Sequence, residues 1–199
     1  MNDNHLSNVP AAKFAVAVMS RDRVGIVRDV TAALTPLQAN IERASQTVVM
    51  NYFTLILIVA FHEPYRPEDL RDRLRAAGAP GEFEISVKPF EPGAEKEIVV
   101  SDADNFVLTL SGTDRPGIIS QIAAYLSGKG INIIDLYAAK PEPSKFVMIS
   151  QLAVPRHMNA AQIQIDIEAL GRKTGLTAAL QHENIFKATN EVTAPANFF

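Results

Sequence analysis

The feature that most constrains this chain is a stretch of sequence that returns after 92 positions without a gap. Asp22-Arg23-Val24-Gly25-Ile26-Val27 recurs as Asp114-Arg115-Pro116-Gly117-Ile118-Ile119. The same offset carries Phe14 to Phe106, Ala32 to Ala124, Leu34 to Leu126, Asn40 to Asn132 and Ile41 to Ile133. Register held over that length means that one supersecondary unit is written twice. A chain of 199 residues is therefore expected to hold two small domains rather than one large one.

Within each copy the hydrophobic period changes in the same order. Lys13 to Met19 and Asn105 to Leu110 are short strand-like runs, each leading into an Asp-Arg-x-Gly turn. Ile26, Val27, Val30, Leu34 and Leu37 then follow helical spacing, as do Ile118, Ile119, Ile122, Ala123 and Leu126. Strand character resumes at Ile41 to Met50, passes a tight turn near Asn51 and continues from Tyr52 to Phe61. Its counterpart is Ile133 to Ala139, a longer loop through Pro141 and Pro143, and Phe146 to Val154. A second helix is predicted from Pro67 with Leu70 and Leu74 inward, and from Asn159 through Ile163, Ile167 and Leu170. Strands at Phe83 to Val87 and Leu176 to Leu180 complete the order βαββαβ twice.

The predicted fold is thus α+β: two ferredoxin-like domains, residues 11–88 and 105–182, each an antiparallel sheet backed by two helices. Residues 89–104 read as a linker. Residues 183–199 read as a C-terminal extension, amphipathic from Glu183 to Lys187 and loose from Ala188 onward. Pairing the two sheets edge to edge would cover strands that otherwise invite aggregation.

Composition narrows the function classes. No cysteine occurs, which excludes disulfides, thiolate metal sites and a cysteine nucleophile, and fits a reducing, cytoplasmic setting. A formal charge of −3 gives no global attraction to phosphate backbones or anionic lipid. The densest basic stretch, Arg66 to Arg75, is diluted by Glu68, Asp69 and Asp72, and reads as a solvated face or, alternatively, a protein-docking surface. The longest apolar run, Tyr52 to Phe61, is about half of the roughly 20 residues a membrane helix needs. Met1 to Pro10 is polar and has no signal-like apolar stretch. Neither direct nucleic-acid binding nor a membrane role is expected.

His5, His62, His157 and His182 are scattered without metal-ligand spacing, and no nucleophile–base pair or paired carboxylates stand out. Gly128-Lys129-Gly130 follows a helix instead of opening one, so it reads as a helix C-cap and not a phosphate loop. No enzyme activity, metal or cofactor is expected.

The Asp-Arg-x-Gly turn has chemistry of its own. Glycine permits close backbone approach, and a helix start presents unpaired N–H groups that suit an anion. The carboxylate of a free amino acid could lie against the amides near Gly25-Ile26 or Gly117-Ile118. Asp22, Asp114 or the side-chain oxygens of Asn40 and Asn132 could accept from its ammonium. The structural alternative is that Asp22 and Asp114 are helix N-caps and Asn40 and Asn132 occupy left-handed helix exits. Arg23 and Arg115 read as solvated or interface residues.

Together the strand ending in Asp-Arg-x-Gly-Ile, the amphipathic helix, the Asn-Ile that opens the next strand and the βαββαβ order resemble the ACT domain, a small regulatory module that binds amino acids. The resemblance covers about Lys13 to Val87 and Asn105 to Leu180. Two such domains in one chain look like the glycine cleavage system transcriptional repressor family. Formyltetrahydrofolate deformylase opens with a similar domain, but its catalytic portion has no room here. By resemblance to amino-acid-regulated members such as phosphoglycerate dehydrogenase, the effector would contact Asp22, Gly25, Ile26, Asn40 and Ile41, and likewise Asp114, Gly117, Ile118, Asn132 and Ile133. Val24 stands where the second copy keeps the usual proline, Pro116, and the Pro141 to Ser144 loop is unusual, so the two sites need not both be functional. The resemblance implies a small amino acid as ligand, glycine or serine, and a protein partner such as a transcription activator. A second copy of the same chain, giving a homodimer, is the other partner considered. A module that only assembles, without ligand, is the alternative function, followed by an enzyme of amino-acid or one-carbon metabolism, which would require a catalytic cluster that the sequence does not show.

Overall fold

The computed structural model describes residues 12–91 and 102–190. The chain divides into two compact units, residues 1–95 and 96–199. The first unit runs β1 (Ala12–Arg21), α1 (Ile26–Leu34), a single 3-10 turn, β2 (Asn40–Val49), β3 (Tyr52–Phe61), α2 (Pro67–Arg75) and β4 (Glu84–Pro89). The second runs β5 (Ala103–Thr113), α3 (Ile118–Gly128), β6 (Asn132–Ala139), β7 (Lys145–Pro155), α4 (Ala160–Thr174) and β8 (Leu176–His182), followed by α5 (Glu183–Asn190). Each sheet has four strands, ordered β2-β3-β1-β4 and β6-β7-β5-β8. All the hydrogen-bonded neighbours are antiparallel. The split-βαβ plan read from the repeat is therefore present in both units.

Alternation along the strands decides which face meets the helices. Phe14, Val16 and Val18 of β1 stand opposite Val59, Leu57 and Leu55 of β3, and all six are buried. They pack under Ile26, Val30 and Leu34 of α1 and Leu70 and Leu74 of α2. Leu108, Leu110, Met148 and Leu152 play the same part beneath Ile118, Ile122, Leu126, Ile163 and Ile167. Three residues of the predicted helical faces, Val27, Ile119 and the half-buried Ala123, fall outside this core. Val27 is 42% exposed and Ile119 is 40% exposed, because each follows the buried first residue of its helix by one step, about 100° around the axis.

Turn chemistry matches the chain. Met50 and Asn51 both take positive φ, 47° and 72°, as a two-residue hairpin of the twist-compatible type requires. The α3 helix closes through Lys129 and Gly130, which agrees with reading the glycine pair as a C-cap. The predicted left-handed exits are corrected: Gln38 (φ 51°) and Gly130 (φ 68°) take that conformation, while Asn40 and Asn132 open β2 and β6. Extended strand backbone at these asparagines leaves the reversal to the residues before them.

The stretch expected to be loose from Ala188 is helical to Asn190, and residues 191–199 lie outside the described residues. The α5 helix covers part of the helix-free face of its sheet. Asn105 and Gln151 point to that face by register, and both donate to the Glu183 carboxylate, at 3.2 and 3.3 Å. Val107 and Ala153 share the face yet are only 4% and 5% exposed, and Phe186 is buried with them. In the first unit the same face leaves Met19, Val49, Tyr52 and Ile56 exposed.

Candidate functional site

Both Asp-Arg-x-Gly turns leave the end of a central strand and are tied to the neighbouring hairpin. The Asp22 N–H donates to the Asn51 carbonyl and the Asp114 N–H to the Ser144 carbonyl, each at 2.9 Å. Gly25 (φ 97°) and Gly117 (φ 88°) occupy the left-handed region that a Cβ disfavours, and each is the N-cap residue of its helix. Asp22 and Asp114 do not cap, correcting that alternative: each sits three residues before the glycine and neither helix has a side-chain cap. The first-turn N–H groups at Ile26 and Ile118 thus lack a side-chain acceptor, an arrangement favourable to a bound anion.

Around these matching backbones the side chains differ. In the first unit Arg23 donates through Nε to the Glu82 carboxylate and lies 2.9 Å from Asp29 Oδ2 through Nη2. Its guanidinium also sits 5.8 Å from the Phe83 ring centre. Asp29 receives Arg28 as well, at 2.9 Å from Nε and 2.7 Å from Nη2. The bonds to Glu82 and then Asp29 hold Arg23 firmly protonated, above its ordinary range. Arg23 and the Ala79 N–H hold the Glu82 carboxyl below its ordinary range, while Arg28 and Arg23 do the same for Asp29.

In the second unit the place of Asp29 is taken by Gln121, and strand register puts Gly175 at the place of Glu82. A Cβ added to Gly175 would lie 3.9 Å from Arg115 Nη2, so the two remain neighbours without a carboxylate between them. Among the described residues Arg115 makes no hydrogen bond or ion pair. Asp114 pairs instead with Lys140 Nζ at 2.5 Å, from the long loop, whereas the Asp22 carboxylate has no such partner among the described residues. The first turn therefore offers a free carboxylate beside a neutralised arginine, and the second a free arginine beside a neutralised carboxylate.

The asparagines are elsewhere. Asn40 stands in register with Ala60, which pairs with Lys13 near the start of β1, while the turn follows Arg21 at the other end. Eight residues of strand separate the two levels, about 27 Å. Asn132, level with Asn105, is equally far from Asp114. Within one unit Asp22, Gly25 and Ile26 come together, as do Asp114, Gly117 and Ile118, but Asn40-Ile41 and Asn132-Ile133 form separate groups. Each asparagine end carries a bulge, at Glu42 and at Ile134, and Glu42 pairs with Lys13 at 2.9 Å. Reading the residues missed Glu82 and Gly175, which belong to the α–β loops and reach the turn only through the fold.

The Glu82 carboxylate sets a pH test. Its folded pKa lies below the ordinary 4.5, so its stabilisation is complete above that value and is lost as pH falls through the folded value. Glu82→Gln is expected to melt below the parent protein at pH 7, with the gap narrowing as pH falls below 4.5. A gap unchanged at pH 3 in paired melting curves would refute the ion-pair assignment.

Comparison with known proteins fits this architecture. The family model of the ACT domain matches residues 104–181. A UPF0237 protein of Methanococcus maripaludis is 30% identical over 90 residues, covering 45% of this chain and 99% of that protein. A crystal structure of an unknown protein from Galdieria sulphuraria superposes with a TM-score of 0.68 at 27% identity, covering 86% of this chain and 98% of that one. A putative glycine cleavage system transcriptional repressor shares the fold, with a TM-score of 0.60 at 18% identity over 85% of this chain and 96% of that one. Fold and turns define a chain built from two ACT-like units. Within that class the chain belongs to the UPF0237 family. Among the described residues no helix is long and apolar enough to cross a membrane, and no three His, Asp or Glu side chains cluster as a metal site.

Proposed function

We propose that this protein is a non-enzymatic, cytoplasmic sensor of a small amino acid, glycine or serine by its likeness to the repressor family. Its output is control of transcription in glycine or one-carbon metabolism through a protein partner. The observation that carries the reading is the unpaired Arg115 beside the uncapped start of α3. The amino acid's carboxylate takes the guanidinium and the N–H groups at Gly117 and Ile118, and its ammonium takes Asp114 in place of Lys140. The turn at Asp22, Gly25 and Ile26 is the weaker site, because Arg23 is already held by Glu82 and Asp29. Asn40 and Ile41, like Asn132 and Ile133, lie too far from the turn of their own unit to share its ligand. A homodimer is the proposed responsive form. Ligand then works by favouring one arrangement over another, since equal affinity for both would shift nothing.

The exposed Met19, Val49, Tyr52 and Ile56 favour a second reading, a module that assembles without ligand. Calorimetric titration separates the two. Glycine or serine is expected to bind the parent chain and Arg23→Ala, with affinity reduced about tenfold or more in Arg115→Ala. Equal binding by both variants would overturn the assignment, and no binding at all would leave assembly as the function.

A further inference from the structure

The helix layers of the two units differ at one place. In the second unit Tyr125 of α3 reaches over to α4 and its hydroxyl donates to Asp166 Oδ2 at 2.9 Å. The same carboxylate accepts from Gln162 Nε2 at 2.8 Å and has Lys129 Nζ 3.8 Å away. Aligning the buried residues of the helices, Ile26 with Ile118 and Leu70 with Ile163, puts Ala33 at the place of Tyr125 and Arg73 at the place of Asp166. The aromatic bridge of one unit is thus an alanine facing an arginine in the other.

Where the ring is missing there is a cleft of about 330 Å³, lined by Asp29, Ala32, Ala33, Arg73, Ala76 and Ala77. Half-buried Ala33 and Ala77 form its base, with Ala32 and Ala76 exposed at its sides. Of its two charged residues, Asp29 is saturated by Arg23 and Arg28, whereas Arg73 has no hydrogen bond or ion pair among the described residues. The unmet charge is therefore a planar cation that suits a carboxylate. The sister unit supplies an independent measure of what the helix spacing admits, because there the chain itself places a six-membered ring between the helices. Polarity at the end of that ring is reversed. A hydroxyl donor meets an acceptor in the second unit, so an acceptor must meet the guanidinium in the first.

We propose that the cleft between α1 and α2 binds a small aromatic carboxylate, with its ring on Ala32, Ala33, Ala76 and Ala77 and its carboxylate on Arg73. The volume is at the lower end of the range for ligand pockets, which suits a one-ring compound. The cleft shares Asp29 with the ion pairs around the Asp22 turn but not the turn's own residues, so a ring acid without an amino group is the proper probe.

Phenylacetate titrated into the full chain and followed by backbone NMR provides the test. Shifts are expected at the amides of Ala32, Ala33, Ala76 and Ala77, saturating in the range of about 1 mM. Arg73→Gln, on an exposed position, is expected to weaken binding about tenfold. Ala33→Tyr should fill the cleft and abolish binding, and Ala33→Tyr with Arg73→Asp should rebuild the phenol–carboxylate bridge and raise the melting temperature above that of Ala33→Tyr alone. Shifts confined to the Asp114–Ile118 turn, unchanged affinity in Arg73→Gln, or no shift at about 10 mM would each overturn the proposal.

Discussion

Replacing Gly112 by alanine is expected to destabilise the second unit by roughly 3 kcal/mol. Gly112 lies near the end of β5, in register with Leu176, the first residue of β8. A Cβ there would stand 2.4 Å from the Gly175 carbonyl oxygen and 3.0 Å from Leu176 Cα. Both obstacles are backbone, and Gly175 is the left-handed C-cap of α4, so neither can yield without loosening the α4–β8 junction. The glycine's φ of 153° adds strain for any residue with a side chain. Gly128→Ala is the control. It has nothing within 4 Å of the added Cβ and ends α3, so it should leave stability within about 1 kcal/mol. Denaturant unfolding read separately for each unit would show the difference, and an unaffected Gly112→Ala would mean that β8 starts elsewhere.

Phe186→Ala carries the second large effect, about 3 kcal/mol from the same unit. The ring is 8% exposed and lies on the helix-free sheet face where Val107 and Ala153 are also buried. Removing it uncovers these residues and leaves α5 held by Glu183, with its bonds from Asn105 and Gln151. Lys187→Ala is the contrast. Its ion pair with Glu183, at 2.7 Å with the lysine side chain 43% exposed, should be worth under about 1 kcal/mol. If Phe186→Ala and Lys187→Ala unfold alike, α5 does not cover the sheet.

These two sites also mark where the sequence could and could not be read. The repeat, the glycine turns and most inward residues of α1 to α4 were legible because local spacing determines them, although Val27 and Ile119 turn outward. The α5 helix was only half legible, since Phe186 gains its meaning from Val107 and Ala153, far off in the chain. Pairing Asp22 with Asn40 at one ligand failed within a unit for a reason the element order already contained. Both β1 and β2 run antiparallel to β3, so they run parallel to each other, and the start of β2 faces the start of β1 instead of its end. The unequal arginines depend on Glu82 and Gly175, loop residues whose distance from the turns in sequence hides their contact.

Amino-acid binding by the folded chain is the central claim, and thermal melting against the twenty amino acids, one at a time, is its most direct test. A ligand that binds only the folded state, at about 100 times its dissociation constant, adds roughly 2.7 kcal/mol. Glycine or serine is expected to raise the melting transition, larger amino acids to do less, and Arg115→Ala to cancel the shift. Twenty flat melting curves, or a shift that survives Arg115→Ala intact, would contradict it.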